Sequence, residues 1–225
     1  MAIPLSAGAR SELIEVRGAA GRIETIADLP TGTPRGLALI AHPHPLYGGT
    51  LDNKVVQTLA RTLIELGYIS VRSNFRGVGE TTGDHDHGEG ETDDLVAVLE
   101  AARAHFADRL ADPAAPPVLC GFSFGAFVQT RVAQRVSPER MVLVGVANGR
   151  VAAGRQYTTE NVPANTLVIH GELDETVPLA NVFDWARPQD LPVVVLPGCD
   201  HFFHRKLHLI RAVILGAWPA RESTC

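Results

Sequence analysis

Residues 121–125 read Gly121-Phe122-Ser123-Phe124-Gly125. The apolar run Val118, Leu119, Cys120 precedes them and reads as a buried strand. Ala126, Phe127, Val128, Val132 and Val136 follow and read as a helix. A Gly-x-Ser-x-Gly between strand and helix is the pattern of a nucleophile elbow. The pentapeptide alone is a weak signal, and its flanks are what give it weight. In such a turn the central residue is strained, with its side chain exposed. The flanking glycines remove a Cβ where chain segments nearly touch. The helix N-terminus behind the serine favours developing negative charge.

Outward from this turn, the chain alternates. Ser11 to Val16 and Arg22 to Leu29, broken by Gly18-Ala19-Ala20-Gly21, predict an antiparallel hairpin. Gly36 to Ala41 predicts a strand buried on both faces. Val55, Val56, Leu59, Ala60, Leu63 and Ile64 repeat at helical spacing, with Asp52 as the expected N-cap and Gly67 as the close. Tyr68 to Val71 is the next strand, and Asn74 to Gly90 is polar, glycine-rich loop. Glu91, Asp93 and Asp94 open a helix whose buried stripe is Leu95, Leu99, Ala102 and Phe106. Beyond the elbow, strands are expected at Met141 to Val146, Leu167 to Ile169 and Pro192 to Leu196. A short helix is expected over Leu179 to Trp185, and a last one carries Leu207, Ile210, Val213, Ile214 and Ala217. Asn148 to Pro163 reads as irregular. The fold class is therefore α/β: a mostly parallel sheet with an N-terminal antiparallel hairpin and helices on both faces. One domain over 1–225 is expected. Functional groups in such sheets gather at the carboxyl ends of the strands.

The formal charge of -5 and the scattered Lys and Arg argue against nucleic acid or a membrane surface as partner. Met1 to Gly8 has neither a basic start nor an apolar stretch of signal length, so the cytoplasm is the expected location. The three cysteines, Cys120, Cys199 and Cys225, suggest no disulfide framework. Cys120 reads as a small buried hydrophobe, and no basic neighbour in sequence would activate Cys199.

A serine needs a base to take its proton, and the base needs a carboxylate to fix its tautomer. The chain order in this architecture is Ser, then acid, then His. Of His170, His201, His204 and His208, His201 alone opens a loop just past a strand end. His170 reads as packing or turn support, and His204 and His208 as surface or helix-end residues. For the acid, Asp174 leaves the strand ending at His170-Gly171. Glu172, Glu175 and Asp200 are its rivals, and Asp200 is too near His201 in sequence to reach its outer ring nitrogen comfortably. An oxyanion needs two donors. One is the backbone N–H of Phe124, and the other comes from the loop after the strand at Leu37 to Ile40. Pro43 and Pro45 have no N–H, which leaves His44, preferred, or Leu46. His42, His44 and the run Asp84-His85-Asp86-His87 invite a metal reading, but no metal-ligand spacing supports one, and no cofactor is expected. Arg76 is expected to hold the 74–90 loop rather than touch substrate.

Taken together, the elbow, His170-Gly171-x-x-Asp174 before Val177-Pro178, and Gly198-x-Asp200-His201 resemble the α/β-hydrolase superfamily from about Gly36 to the last helix. His42-Pro43-His44-Pro45 through Gly48-Gly49-x-x-Asp52-Asn53-Lys54, and Asn74-Phe75-Arg76-Gly77-Val78-Gly79, resemble a compact, lidless bacterial subgroup of predicted serine hydrolases. The resemblance implies an α/β-hydrolase fold and a Ser-His-Asp hydrolase of carboxylic esters or thioesters. The more common His-Gly dipeptide after the third strand is here His42-Pro43. The short stretch where relatives insert a lid implies small, soluble esters as substrates. The alternatives are a binding protein that keeps the fold, or the same site used for acyl transfer, peptide cleavage or perhydrolysis.

Overall fold

The computed structural model describes residues 10–218. The readings of Met1 to Gly8 and of Cys225 lie outside the described residues. β1 (Arg10–Gly18) and β2 (Gly21–Leu29) form the hairpin, paired in register from Arg10 with Leu29 to Gly18 with Gly21. Then follow β3 (Leu37–Ala41), α1 (Lys54–Glu65), β4 (Ile69–Ser73), α2 (Glu89–His105), β5 (Val118–Phe122), α3 (Phe124–Ala133) and β6 (Arg140–Val144). β7 (Gly149–Arg150) and β8 (Gln156–Tyr157) make a small antiparallel pair. β9 (Leu167–Gly171), α4 (Leu179–Ala186), β10 (Val193–Leu196) and α5 (Leu207–Ala217) complete the order.

The main sheet runs β1-β2-β4-β3-β5-β6-β9-β10, antiparallel at β1-β2 and β2-β4 and parallel beyond. Side chains alternate across it, as the period of two demands. Leu37, Leu39 and Ala41 of β3 enter the core beneath α2, α3 and α4, which also holds Leu99, Val128 and Trp185. Ala38 and Ile40 enter the opposite core with Leu59 and Leu63 of α1 and Ile210 and Ile214 of α5. Helices thus cover both faces, and the central strands β3 and β5 between them are uninterrupted apolar runs.

Four local expectations are corrected. Asn53, not Asp52, caps α1: its side chain accepts the Val55 N–H at 2.9 Å. Asp52 instead accepts from Gln57 and faces Arg72. α2 begins at Glu89, inside the expected loop, because the Glu91 carboxylate accepts the Gly88 and Asp86 N–H groups at its N-terminus. β9 runs on through His170-Gly171, two residues past the expected Leu167 to Ile169, since Leu196 of β10 extends the ladder to Gly171. Asn148 to Pro163 is not wholly irregular: it folds back as β7 and β8, which bring Tyr157 against Phe127.

The elbow is built by close approach. A Cβ on Gly121 would lie 2.5 Å from the Gly125 carbonyl oxygen, and one on Gly125 would lie 2.4 Å from those of Ala41 and His42. These are backbone atoms that no rotamer change moves aside. We expect Gly125→Ala to destabilise the fold by about 1–3 kcal/mol, as over-packing does. An unchanged urea midpoint would contradict this account of the turn.

Candidate active site

Ser123 sits between β5 and α3 at φ 55° and ψ -117°, a conformation costing a side-chain-bearing residue about 1–3 kcal/mol. The turn is held by its own backbone. Ser123 N–H donates to Val144 O at 2.9 Å, and Ser123 O accepts from Ala126 and Phe127 in the first turn of α3. Beneath it Gln129 of α3 donates from Nε2 to Leu39 O at 2.9 Å and Cys120 O at 3.0 Å, tying the helix to β3 and β5. Nothing in the helical spacing marks Gln129, and the sequence reading missed it. The serine is less exposed than an elbow leads one to expect. It is only 5% accessible, and the adjoining His201 ring is itself flanked by Phe122 and Phe202.

His201 follows the turn after β10 and reaches back over β5. Its Nδ1 lies 2.7 Å from Asp174 Oδ2, and its Nε2 lies 3.0 Å from Ser123 Oγ. The carboxylate selects the tautomer in which Nδ1–H donates to it, leaving Nε2 to accept the serine hydroxyl. Asp174 is held in turn, because its Oδ1 accepts the N–H groups of Thr176 at 2.9 Å and Val177 at 2.7 Å. His170 is fully buried below, where Nε2–H donates to Val177 O at 3.0 Å and stands 3.4 Å from Asp174 Oδ2. Burial pushes its pKa below the ordinary histidine value, which fits turn support by a neutral ring.

The rivals are placed elsewhere. Asp200 accepts from His204 Nδ1 at 2.6 Å. Glu172 accepts the Gly198 N–H at 2.7 Å and so fixes the turn that leads to His201. Glu175 and His208 are exposed. Cys199 is buried, and burial raises its thiol pKa. Arg76 is spent on the loop: it grips Asp94 at 2.7 and 3.1 Å. His85 of the Asp84–His87 run bonds Glu91 at 2.7 Å.

The loop after β3 supplies the remaining backbone donors. The Leu46 N–H points to His44 Nδ1 at 3.3 Å. The His44 and Phe124 N–H groups donate to no acceptor among the described residues. Burial, followed by the influence of His85 and Arg155, pushes the His44 pKa down to about 4. His42 locks the base of this loop: its Nδ1–H donates to Pro43 O at 2.6 Å, and its Nε2 accepts the Phe75 N–H at 2.8 Å.

Burial also pushes the His42 pKa down to about 4. In the unfolded chain it returns to about 6.5. Between these values the unfolded chain holds more protons, so stability rises with pH across that window and is lost as pH falls from 6.5 towards 4. The full difference is worth about 3 kcal/mol. We expect the urea midpoint to drop between pH 7 and pH 5, and to drop less in His42→Gln. A midpoint that holds steady would contradict a buried neutral imidazole here.

A parallel α/β sheet carrying a serine at a strand–helix turn, with imidazole and carboxylate delivered from later strand ends, defines a class with one architecture and many chemistries. This chain belongs to the alpha/beta hydrolase family, whose domain model matches residues 35–209. It is similar to a serine hydrolase without lid from Xanthomonas campestris, at 36% identity, a TM-score of 0.80 and 96% of each chain covered. It is also similar to an alpha-beta serine hydrolase homologue from Coxiella burnetii, at 35% identity and a TM-score of 0.77, covering 96% of this chain and 99% of that one. An uncharacterized protein of Rickettsia prowazekii is 30% identical over 203 residues, 86% of this chain and 82% of that protein.

Proposed function

We propose that the chain is a serine hydrolase of small, soluble carboxylic esters or thioesters. The observation that carries the reading is the continuous line from Asp174 Oδ2 through both nitrogens of His201 to Ser123 Oγ. Ser123 Oγ attacks the carbonyl carbon while His201 Nε2 takes its proton. The oxyanion is held by the N–H groups of Phe124 and His44, each such donor being worth about 3–4 kcal/mol in the barrier. His201 then protonates the departing alcohol or thiol, whose bond to the acyl carbon breaks. Water, deprotonated by the same imidazole, releases the acid and regenerates Ser123.

The Xanthomonas campestris hydrolase without lid supports small substrates, as does the brevity of the 148–163 segment. The expected result is faster turnover of 4-nitrophenyl acetate and butyrate than of the palmitate ester, with an acyl-enzyme detectable in a pre-steady-state burst. Preference for the palmitate ester would contradict the size argument. Failure to turn over any ester, thioester, amide or lactone would contradict the hydrolase reading.

A further inference from the structure

A cavity of about 550 Å³ opens beside His44 and Phe124, the residues to which the oxyanion donors are assigned above. Its walls are aromatic. The Phe124 ring stands 4.8 Å from the His44 ring and 6.1 Å from Tyr157, and Phe127 lies 5.0 Å from Tyr157. Tyr47 presents an exposed ring at the rim. None of the lining residues is an Asp or Glu. Two of its basic groups already have partners, Arg131 in Glu89 at 2.5 Å and His85 in Glu91 at 2.7 Å. Arg155 differs. Its guanidinium lies 4.3 Å over the Tyr47 ring, and its Nε donates to the Ala152 carbonyl at 3.0 Å. No carboxylate among the described residues lies within ion-pair distance of it.

Resting on the hydrolase reading, we infer that this cavity binds the acyl part of the substrate, and that this acyl part is a short apolar segment ending in a carboxylate held by Arg155. The assignment to the acyl side follows from proton transfer. His201 must protonate the leaving group, so the leaving group lies on the His201 side. A separate hollow of about 620 Å³ lies between α1 and Phe202 to His208, the segment that directly follows His201. No residue after His201 lines the aromatic cavity. The carbonyl's other substituent therefore extends past the oxyanion donors, through the cavity beside Tyr47, towards Arg155. A planar guanidinium fork suits a carboxylate, and a single cation suits a single negative charge. The substrates are then half-esters or half-thioesters of dicarboxylic acids.

The test compares 4-nitrophenyl half-esters of succinate, glutarate and adipate with neutral esters in which an isopropyl group replaces the carboxylate. Charge-assisted hydrogen bonds of this kind lead us to expect about a tenfold or greater advantage in kcat/KM for the best half-ester. In Arg155→Gln the ratio should fall to about one, and in Arg155→Glu below one. Using a ratio within each variant separates charge recognition from any general loss of activity. A wild-type ratio at or below one, or a ratio that survives Arg155→Gln, overturns this inference and leaves the hydrolase reading standing. The same holds if Ser123 takes a fluorophosphonate but hydrolyses neither series. If Ser123 takes no fluorophosphonate and no ester turns over, both fall.

Discussion

Replacing Ser123 by alanine is expected to lower kcat by about a million-fold, close to 8 kcal/mol in the barrier, with the fold intact. The size of the effect follows from the site having one hydroxyl on the His201 Nε2, at 3.0 Å. In the proposed mechanism no covalent intermediate then forms, and the assigned oxyanion donors and binding contacts are left to act on water alone. Stability should not fall with activity, because removing the Oγ relieves no contact needed for packing and the Ser123 backbone bonds to Val144, Ala126 and Phe127 remain. Steady-state turnover of a short 4-nitrophenyl ester, with urea denaturation alongside, checks both halves. A loss smaller than a hundredfold would place the chemistry elsewhere.

Asp174→Asn is expected to cost about 10⁴-fold in kcat, through the wrong tautomer rather than a lost contact. The Oδ1 position accepts two backbone N–H groups, from Thr176 and Val177. The asparagine carbonyl must occupy that position, since an NH2 there would face two donors. Its NH2 then takes the place of Oδ2 against His201 Nδ1, which is forced to accept. The ring proton moves to Nε2 and points at Ser123 Oγ, where a base is needed. Near-wild-type stability with this loss would support the argument. A loss below tenfold would mean that the carboxylate does not set the tautomer.

The sheet was legible in the sequence because its inner strands are buried on both sides: Leu37 to Ala41 and Val118 to Phe122 are apolar runs that few other structures accommodate. The order Ser123, Asp174, His201 was legible because each follows a strand end, and the structure brings the three side chains within hydrogen-bond distance of one another in series. What escaped reading depends on geometry that no local pattern encodes. Asp52 and Asn53 are both good caps, and only the turn from Thr50 decides between them, with Asn53 N–H donating to Thr50 O at 3.0 Å. Gln129 is one polar residue within an apolar helix until β3 and β5 are brought beneath it. Of His44, the preferred donor, and Leu46, only the folded loop shows that the Leu46 N–H donates to the His44 ring, at 3.3 Å. Arg155 stood in a segment without periodicity, and its place beside Tyr47 joins residues more than a hundred positions apart.

The most direct measurement treats the native protein with a fluorophosphonate and maps the adduct by peptide mass spectrometry. The account predicts one phosphonyl group per chain, carried by Ser123 and absent from Ser123→Ala. A folded protein that stays unlabelled, or one labelled at another residue, would contradict it.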